Sequence, residues 1–187
     1  VEDAAEALGS SFNGQKCGTF GEFGILSFNG NKIITTSGGG ALICSTVAEA
    51  SKTKFYATQA RDQAPHYQHS EIGYNYRLSN ICAGIGRGQM TVLQEHVDRR
   101  REINQYYRHK LGHIPGISFQ TEPDSRYSSN YWLTSILVNP ELTGGKTRED
   151  LRLFLDAENM ETRPLWKPMH LQPVFNDAPF YGNGTSE

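Results

Sequence analysis

Two short apolar runs bounded by glycine flank a polar loop near the start of the chain. "GILSF" (24–28) and "GALICS" (40–45) are continuously apolar rather than alternating, which predicts strands of a sheet covered on both faces. Upstream, "VEDAAEA" reads as the end of a strand that delivers Asp3 into a crevice, with Glu6 one helical turn further on. From Leu78 the period changes. Apolar residues recur at Ile81, Cys82 and Ile85, then Met90, Leu93 and Val97, then Ile103, Tyr107 and Leu111, predicting one broken helix or two consecutive helices that end near Gly112. "YWLTSILV" (131–138) is aromatic and β-branched and reads as a strand. Thr147 followed by Asp150 opens an amphipathic helix with Leu151, Phe154 and Leu155 on one face. In the tail, Pro164, Pro168, Pro173 and Pro179 forbid a regular helix, and the aromatic residues among them suggest a packed loop beside a site.

Composition adds exclusions. With 187 residues, 37% of them hydrophobic and 20% charged, the chain is globular and large enough for one core or one and a half small domains. A net charge of -2 with the signs interspersed leaves no basic stripe, so nucleic acid is not the expected partner. The densest bases, Arg99 to Arg101, alternate with Glu95, Asp98 and Glu102 as on a solvated helix face. No apolar stretch reaches membrane-spanning length and the first residues lack a charged region followed by a hydrophobic one, so the chain reads as cytoplasmic. Cys17, Cys44 and Cys82, odd in number and far apart, are expected to be free buried thiols. The absence of an initial methionine and of a terminating element makes both ends read as cut.

Several motifs fail on spacing or context. Gly24 and Gly30 are separated by five residues rather than four, and Asn31 intrudes before the lysine, so this is no phosphate loop. "GIGRG" (84–88) follows a helical run instead of a strand, which removes the context of a dinucleotide fingerprint. His66 and His69 have no third partner at metal-ligand spacing, and no metal is expected. Lys32 is left with two readings: a solvated lysine in an Asn29-Gly30-Asn31 turn, or a buried amine that bonds a carbonyl. Asp3 alone reads as a helix cap. Paired with Lys32 it offers what a pyridoxal phosphate enzyme requires, an amine to hold the aldehyde and a carboxylate to keep the ring nitrogen protonated.

"EDAAEALGS", "GTFGEFGILSFNGNKIITTSGGGAL", "HSEIGYNYRLSNICAGIGRGQ" and "RPLWKPMHLQPVF", in this order, resemble the DegT/DnrJ/EryC1/StrS family of sugar aminotransferases. The resemblance implies an α/β chain with the type I pyridoxal phosphate-dependent aminotransferase fold, here the second half of the large domain plus most of the small α+β domain. The implied division is 1–86 for the large-domain half, 87–112 for a linking helix and 113–187 for an incomplete small domain. It implies Lys32 at the Schiff-base position, Asp3 facing the pyridine nitrogen, Glu6 near the phenolic oxygen and Ser27 on the cofactor phosphate. Asn75, with Arg77 as the other possibility, would reach the neighbouring subunit's phosphate in a homodimer with shared sites, and Trp166 and His170 would line the sugar-nucleotide side. The implied reaction carries an amino group from an amino-acid donor, most often glutamate, through pyridoxamine phosphate to a nucleotide-linked 4-keto-6-deoxy-N-acetylhexose, as on the route to bacillosamine. Three alternatives stay open: a fragment without activity of its own, a 3-aminotransferase of amino-sugar biosynthesis, and a dehydratase, which Lys32 argues against because that enzyme has histidine there.

Overall fold

The structure, a computed structural model, describes residues 1–185. Along the chain run β1 (Glu2–Asp3), β2 (Ser11–Phe12), β3 (Gln15–Lys16), β4 (Phe23–Ser27), β5 (Gly40–Cys44), α1 (Val47–Ala57), α2 (Asn80–Met90) and α3 (Leu93–Leu111). They are followed by β6 (Ile117–Phe119), β7 (Tyr127–Ser128), β8 (Ile136–Val138) and α4 (Arg148–Ala157). The chain forms two compact units, one holding Val1–Leu111 and Thr121–Thr134, the other Gly112–Gln120 and the residues from Ser135 on. No helix among the described residues is long and apolar enough to cross a membrane.

In the first unit β4 is central: β1 pairs with it in parallel, Asp3 opposite Ile25, and β5 pairs antiparallel, Ser27 opposite Gly40. Gly24 lets β4 pass close to the preceding turn, since a Cβ there would lie 1.9 Å from the Gly18 carbonyl oxygen. Glu2 fastens the same turn from β1. Its carboxylate accepts the backbone N–H groups of Gly18 at 2.6 Å and Phe20 at 2.8 Å, and these bonds hold it below the usual carboxylate range. Against the expectation of a sheet covered on both faces, the cross-strand pair Ile25 and Leu42 is 41% and 42% exposed among the described residues. The three cysteines are free, as expected, but half-buried rather than buried.

The core gathers around the loop after β4. Ile33, Val97 and Trp132 form its centre with Leu8 and Leu93 packed against them, while Ile34 and Thr36 are fully buried. Burying Ile34 alone contributes roughly 1.5–3 kcal/mol. The helical run from Leu78 is two helices, α2 capped by Ser79, which accepts the Cys82 N–H. "YWLTSILV" is a strand only at Ile136–Val138. At its start Tyr131 takes φ +42°, and the Trp132 N–H turns back onto Asn130 Oδ1 at 2.9 Å, so the Asn130 side chain has displaced the ladder.

That irregular segment is tied to α3 by Arg101. Its guanidinium bonds Glu122 at 2.8 Å and the Ser129 carbonyl at 2.5 Å, while Glu122 also accepts the Ser129 N–H at 2.7 Å. The Arg101 partner holds the Glu122 carboxyl below its ordinary range, against some desolvation. A lowered folded-state pKa gives stability that is present above the unfolded value and lost as pH falls through the folded one. Glu122→Gln should therefore lower unfolding free energy by about 1–2 kcal/mol at pH 7, with the difference closing below the usual carboxylate range. Urea titrations at pH 7 and in acid read both numbers; an equal difference at the two pH values would show that the charge is not responsible.

In the second unit β6 and β8 pair antiparallel, and α4 begins with the reciprocal Thr147–Asp150 cap anticipated from sequence. Phe154, expected on the packed face, is 63% exposed, whereas Leu151 and Leu155 are partly buried. The proline-rich tail is not the packed loop expected. Its backbone makes only two single 3-10 turns, Met169–Leu171 and Pro173–Phe175, and Leu165, Trp166 and Met169 stay largely exposed.

Candidate active site

The loop between β4 and β5 is built to hold a fixed shape. Phe28 N–H bonds the Gly39 carbonyl and Thr36 N–H bonds the Phe28 carbonyl, each at 2.9 Å, which closes the loop on itself. Gly39, at φ +87°, makes the return possible. Two helices then grip it from outside: Gln89 Oε1 on α2 accepts the Thr35 N–H at 2.7 Å, and His96 Nδ1 on α3 lies 3.0 Å from the Ile33 carbonyl oxygen. Lys32 sits at the head of this loop, beside buried Ile33.

Its side chain is 12% exposed, so the reading of a solvated turn lysine does not describe it. The ammonium pairs with the Glu6 carboxylate and lies 4.8 Å from the centroid of the Trp132 ring. Glu6 is itself 46% exposed, so its pair with Lys32 is worth at most about 1 kcal/mol. The indole face contributes a comparable amount, about 0.5–2 kcal/mol, and also excludes water. Asp3 ends β1 three residues before Glu6; its Oδ1 accepts the Ala5 N–H at 3.1 Å and the carboxylate remains exposed. The cap expected of an isolated aspartate is thus a tight local turn, not a helix start. Ser27 closes β4, half-buried.

The remaining candidates lie elsewhere. Asn75 bridges Thr58 in an isolated antiparallel pair, with Tyr74 N–H on the Tyr56 carbonyl at 2.8 Å and Tyr76 N–H on the Ala57 carbonyl at 3.0 Å. Asn75 and Arg77 are exposed, and among the described residues no hydrogen bond or ion pair joins either to Lys32. In the second unit, Trp166 lines a hollow of about 480 Å³ with Arg148, Leu165, Lys167 and Leu171, and the His170 ring stacks on Phe180 at 3.9 Å.

Sequence reasoning did not select Trp132, Asn130, His96 or Gln89, all of which shape the Lys32 environment. The one local signal was Asn130 at the head of an otherwise β-forming run, a residue whose side chain competes for backbone hydrogen bonds.

Comparison with known proteins gives the same direction throughout. The sequence model described as the DegT/DnrJ/EryC1/StrS aminotransferase family matches residues 1–186. The chain is 52% identical over 183 residues to EpsN of Bacillus subtilis, covering 98% of this chain and 46% of that one. It is 35% identical over 175 residues to the GDP-perosamine synthase of Vibrio cholerae, covering 94% and 47%. The aminotransferase TlmJ from Streptoalloteichus hindustanus superposes with a TM-score of 0.84 at 25% identity, over 97% of this chain and 47% of TlmJ. The chain spans about half the length of the curated relatives it matches. Its architecture is that of the type I fold, mixed α/β and again about half of each neighbour.

Proposed function

This chain belongs to the DegT/DnrJ/EryC1/StrS aminotransferase family, and we propose that it transfers an amino group from glutamate to the 4-keto carbon of a nucleotide-linked 4-keto-6-deoxy-N-acetylhexose, as in bacillosamine formation. The observation that carries the reading is the Lys32 amine, sheltered to 12% exposure at the head of a rigid loop and faced by carboxylate and indole. The family is pyridoxal phosphate-dependent, and the donor set here fits that cofactor: a carboxylate and a hydroxyl at the ends of adjacent strands, with a second carboxylate and an amine in the segments that follow them. Lys32 would hold its aldehyde, Asp3 its ring nitrogen and Ser27 its phosphate.

When bound, pyridoxal phosphate supplies an aldehyde that an amine holds covalently and a protonated ring that accepts electrons when a neighbouring C–H bond breaks. The rest is work for this chain. Lys32 Nζ takes the proton from the donor's α-carbon, and in the return half-reaction gives a proton to the sugar's C4. Glu6 orients Nζ while it is charged, Trp132 closes one side to water, and Asp3 keeps negative charge where the ring must stay protonated. Trp166 and His170 are assigned to the sugar nucleotide in this reading, and Arg148 and Lys167 give the hollow lined by Trp166 positive charge.

The test is to incubate the purified protein with pyridoxal phosphate, glutamate and a panel of UDP-, dTDP- and GDP-linked 4-keto-6-deoxy sugars, measuring 2-oxoglutarate and the amino sugar. GDP sugars belong in the panel because of the 35% identity to a GDP-perosamine synthase. Borohydride reduction followed by peptide mapping should place the cofactor on Lys32. No amino sugar from any member of the panel would overturn the reading.

The proposed assembly is a homodimer in which Asn75, or Arg77, completes the partner's site. Its support is that "GYNYR" is an exposed strand-like edge, preceded by Ile72 at 83% exposure and itself carrying Tyr76 at 76%. Mixing inactive Lys32→Ala and Asn75→Ala proteins should restore activity, since half the sites of a mixed dimer carry neither defect. No recovery despite demonstrated subunit exchange would return Asn75 to its own subunit.

A further inference from the structure

We propose that Asn130 and Trp132 form the positioning element of the Lys32 amine, fixing both ends of the Lys32–Glu6 pair from a single three-residue segment. The proposal rests on the reading of Lys32 as the reacting amine for its functional meaning, but its geometry stands without any cofactor.

Trp132 acts on Lys32 twice. Its ring faces Nζ at 4.8 Å, and its indole N–H donates to the carbonyl of Asn31 at 2.6 Å, so one side chain sets both the head of the lysine and the backbone immediately before it. Asn130, 4% exposed, does the equivalent for Glu6. Its Nδ2 donates to the carbonyls of Glu6 at 2.8 Å and Leu8 at 3.0 Å, while its Oδ1 accepts the Trp132 N–H at 2.9 Å. Both amide hydrogens are thereby used, and an aspartate or leucine could not reproduce the set. Between them Tyr131 holds φ +42°, a conformation that side chains larger than glycine seldom adopt and that persists only where its surroundings over-determine it. Here that conformation folds Trp132 N–H back onto Asn130, coupling the two contacts. Arg101 supports the segment from α3 through Glu122 and Ser129.

Trp132 also belongs to the core with Ile33 and Val97, so its loss of packing has to be separated from its loss of position. The readout is the rate at which Lys32 is acylated by a small amine-reactive probe in the cofactor-free protein at neutral pH. Peptide mass spectrometry gives the rate relative to exposed Lys16 and Lys54. Trp132→Leu removes ring and donor and should raise relative Lys32 labelling about tenfold, the scale of one cation–aromatic contact plus one hydrogen bond. Trp132→Phe keeps an aromatic face and should give about a threefold rise. Val97→Ala loosens the same cluster without touching the clamp and should leave the ratio unchanged. An unchanged ratio in Trp132→Leu, or an equal rise in Val97→Ala, would overturn the proposal. If Trp132→Leu does not fold, Trp132→Phe decides, and a ratio equal to the parent's overturns it. Borohydride trapping on the unmutated protein is scored separately. Failure to find cofactor on Lys32 would remove the functional reading while leaving the clamp intact.

Discussion

Lys32→Ala is expected to abolish amino transfer, lowering turnover by at least about a thousandfold, with the fold retained. In the proposed reading the amine both holds the aldehyde and moves the donor's α-proton, and among the described residues no other amine pairs with Glu6 to replace it. The structure explains why the protein should survive the change. Ile33, Ile34 and Thr36 anchor the loop from the inside, and its closing hydrogen bonds are all backbone or from residues other than Lys32. Glu6, already 46% exposed, is hydrated rather than stranded when its partner goes. Circular dichroism and thermal unfolding check the fold, and coupled 2-oxoglutarate assays check turnover. A variant that keeps more than a few per cent of the parent rate would show that the reacting amine lies elsewhere.

Asp3→Asn should leave the cofactor bound yet lower turnover about a hundredfold or more, because the substitution preserves shape and removes only charge. The oxygen that accepts the Ala5 N–H is still present in asparagine, so the turn after β1 keeps its hydrogen bond and Glu6 keeps its place. What is lost is the electrostatic reason for a proton to stay on a ring nitrogen beside the strand end. Equilibrium dialysis with pyridoxal phosphate separates the two effects. Weak binding with normal turnover at saturation would assign Asp3 to holding the cofactor and not to its chemistry.

The features legible in sequence were those with local causes. Glycine-bounded apolar runs gave β4 and β5, a helical period gave α2 and α3, and Thr147 with Asp150 gave the start of α4. Lys32 stood out because it falls between strand and glycine loop. Its shelter was not legible, since Trp132 lies a hundred residues away and was absorbed into a run whose residue types all favour a strand. There propensity lost to a buried asparagine that found better partners in the Glu6 and Leu8 carbonyls than a ladder could offer. The open face of Ile25 and Leu42 was equally invisible: an apolar run states what a strand can bury, not what is present to bury it.

The hydrogen bonds from Asn130 to Glu6 and Leu8 join residues 124 and 122 positions apart in the chain. Closing a loop of that length carries an entropic cost of about 4 kcal/mol beyond its constant part, whereas the β4–β5 hairpin closes over little more than a dozen residues. Local ladders of this kind form early in folding and distant closures late. During synthesis the lysine loop therefore leaves the ribosome long before its cover does, and Lys32 is an ordinary solvated amine until residue 132 has been made and docked. The sheltered amine is in this sense a late acquisition of the first unit, an attribute of its tertiary structure that no amino-terminal peptide ending before residue 132 can possess.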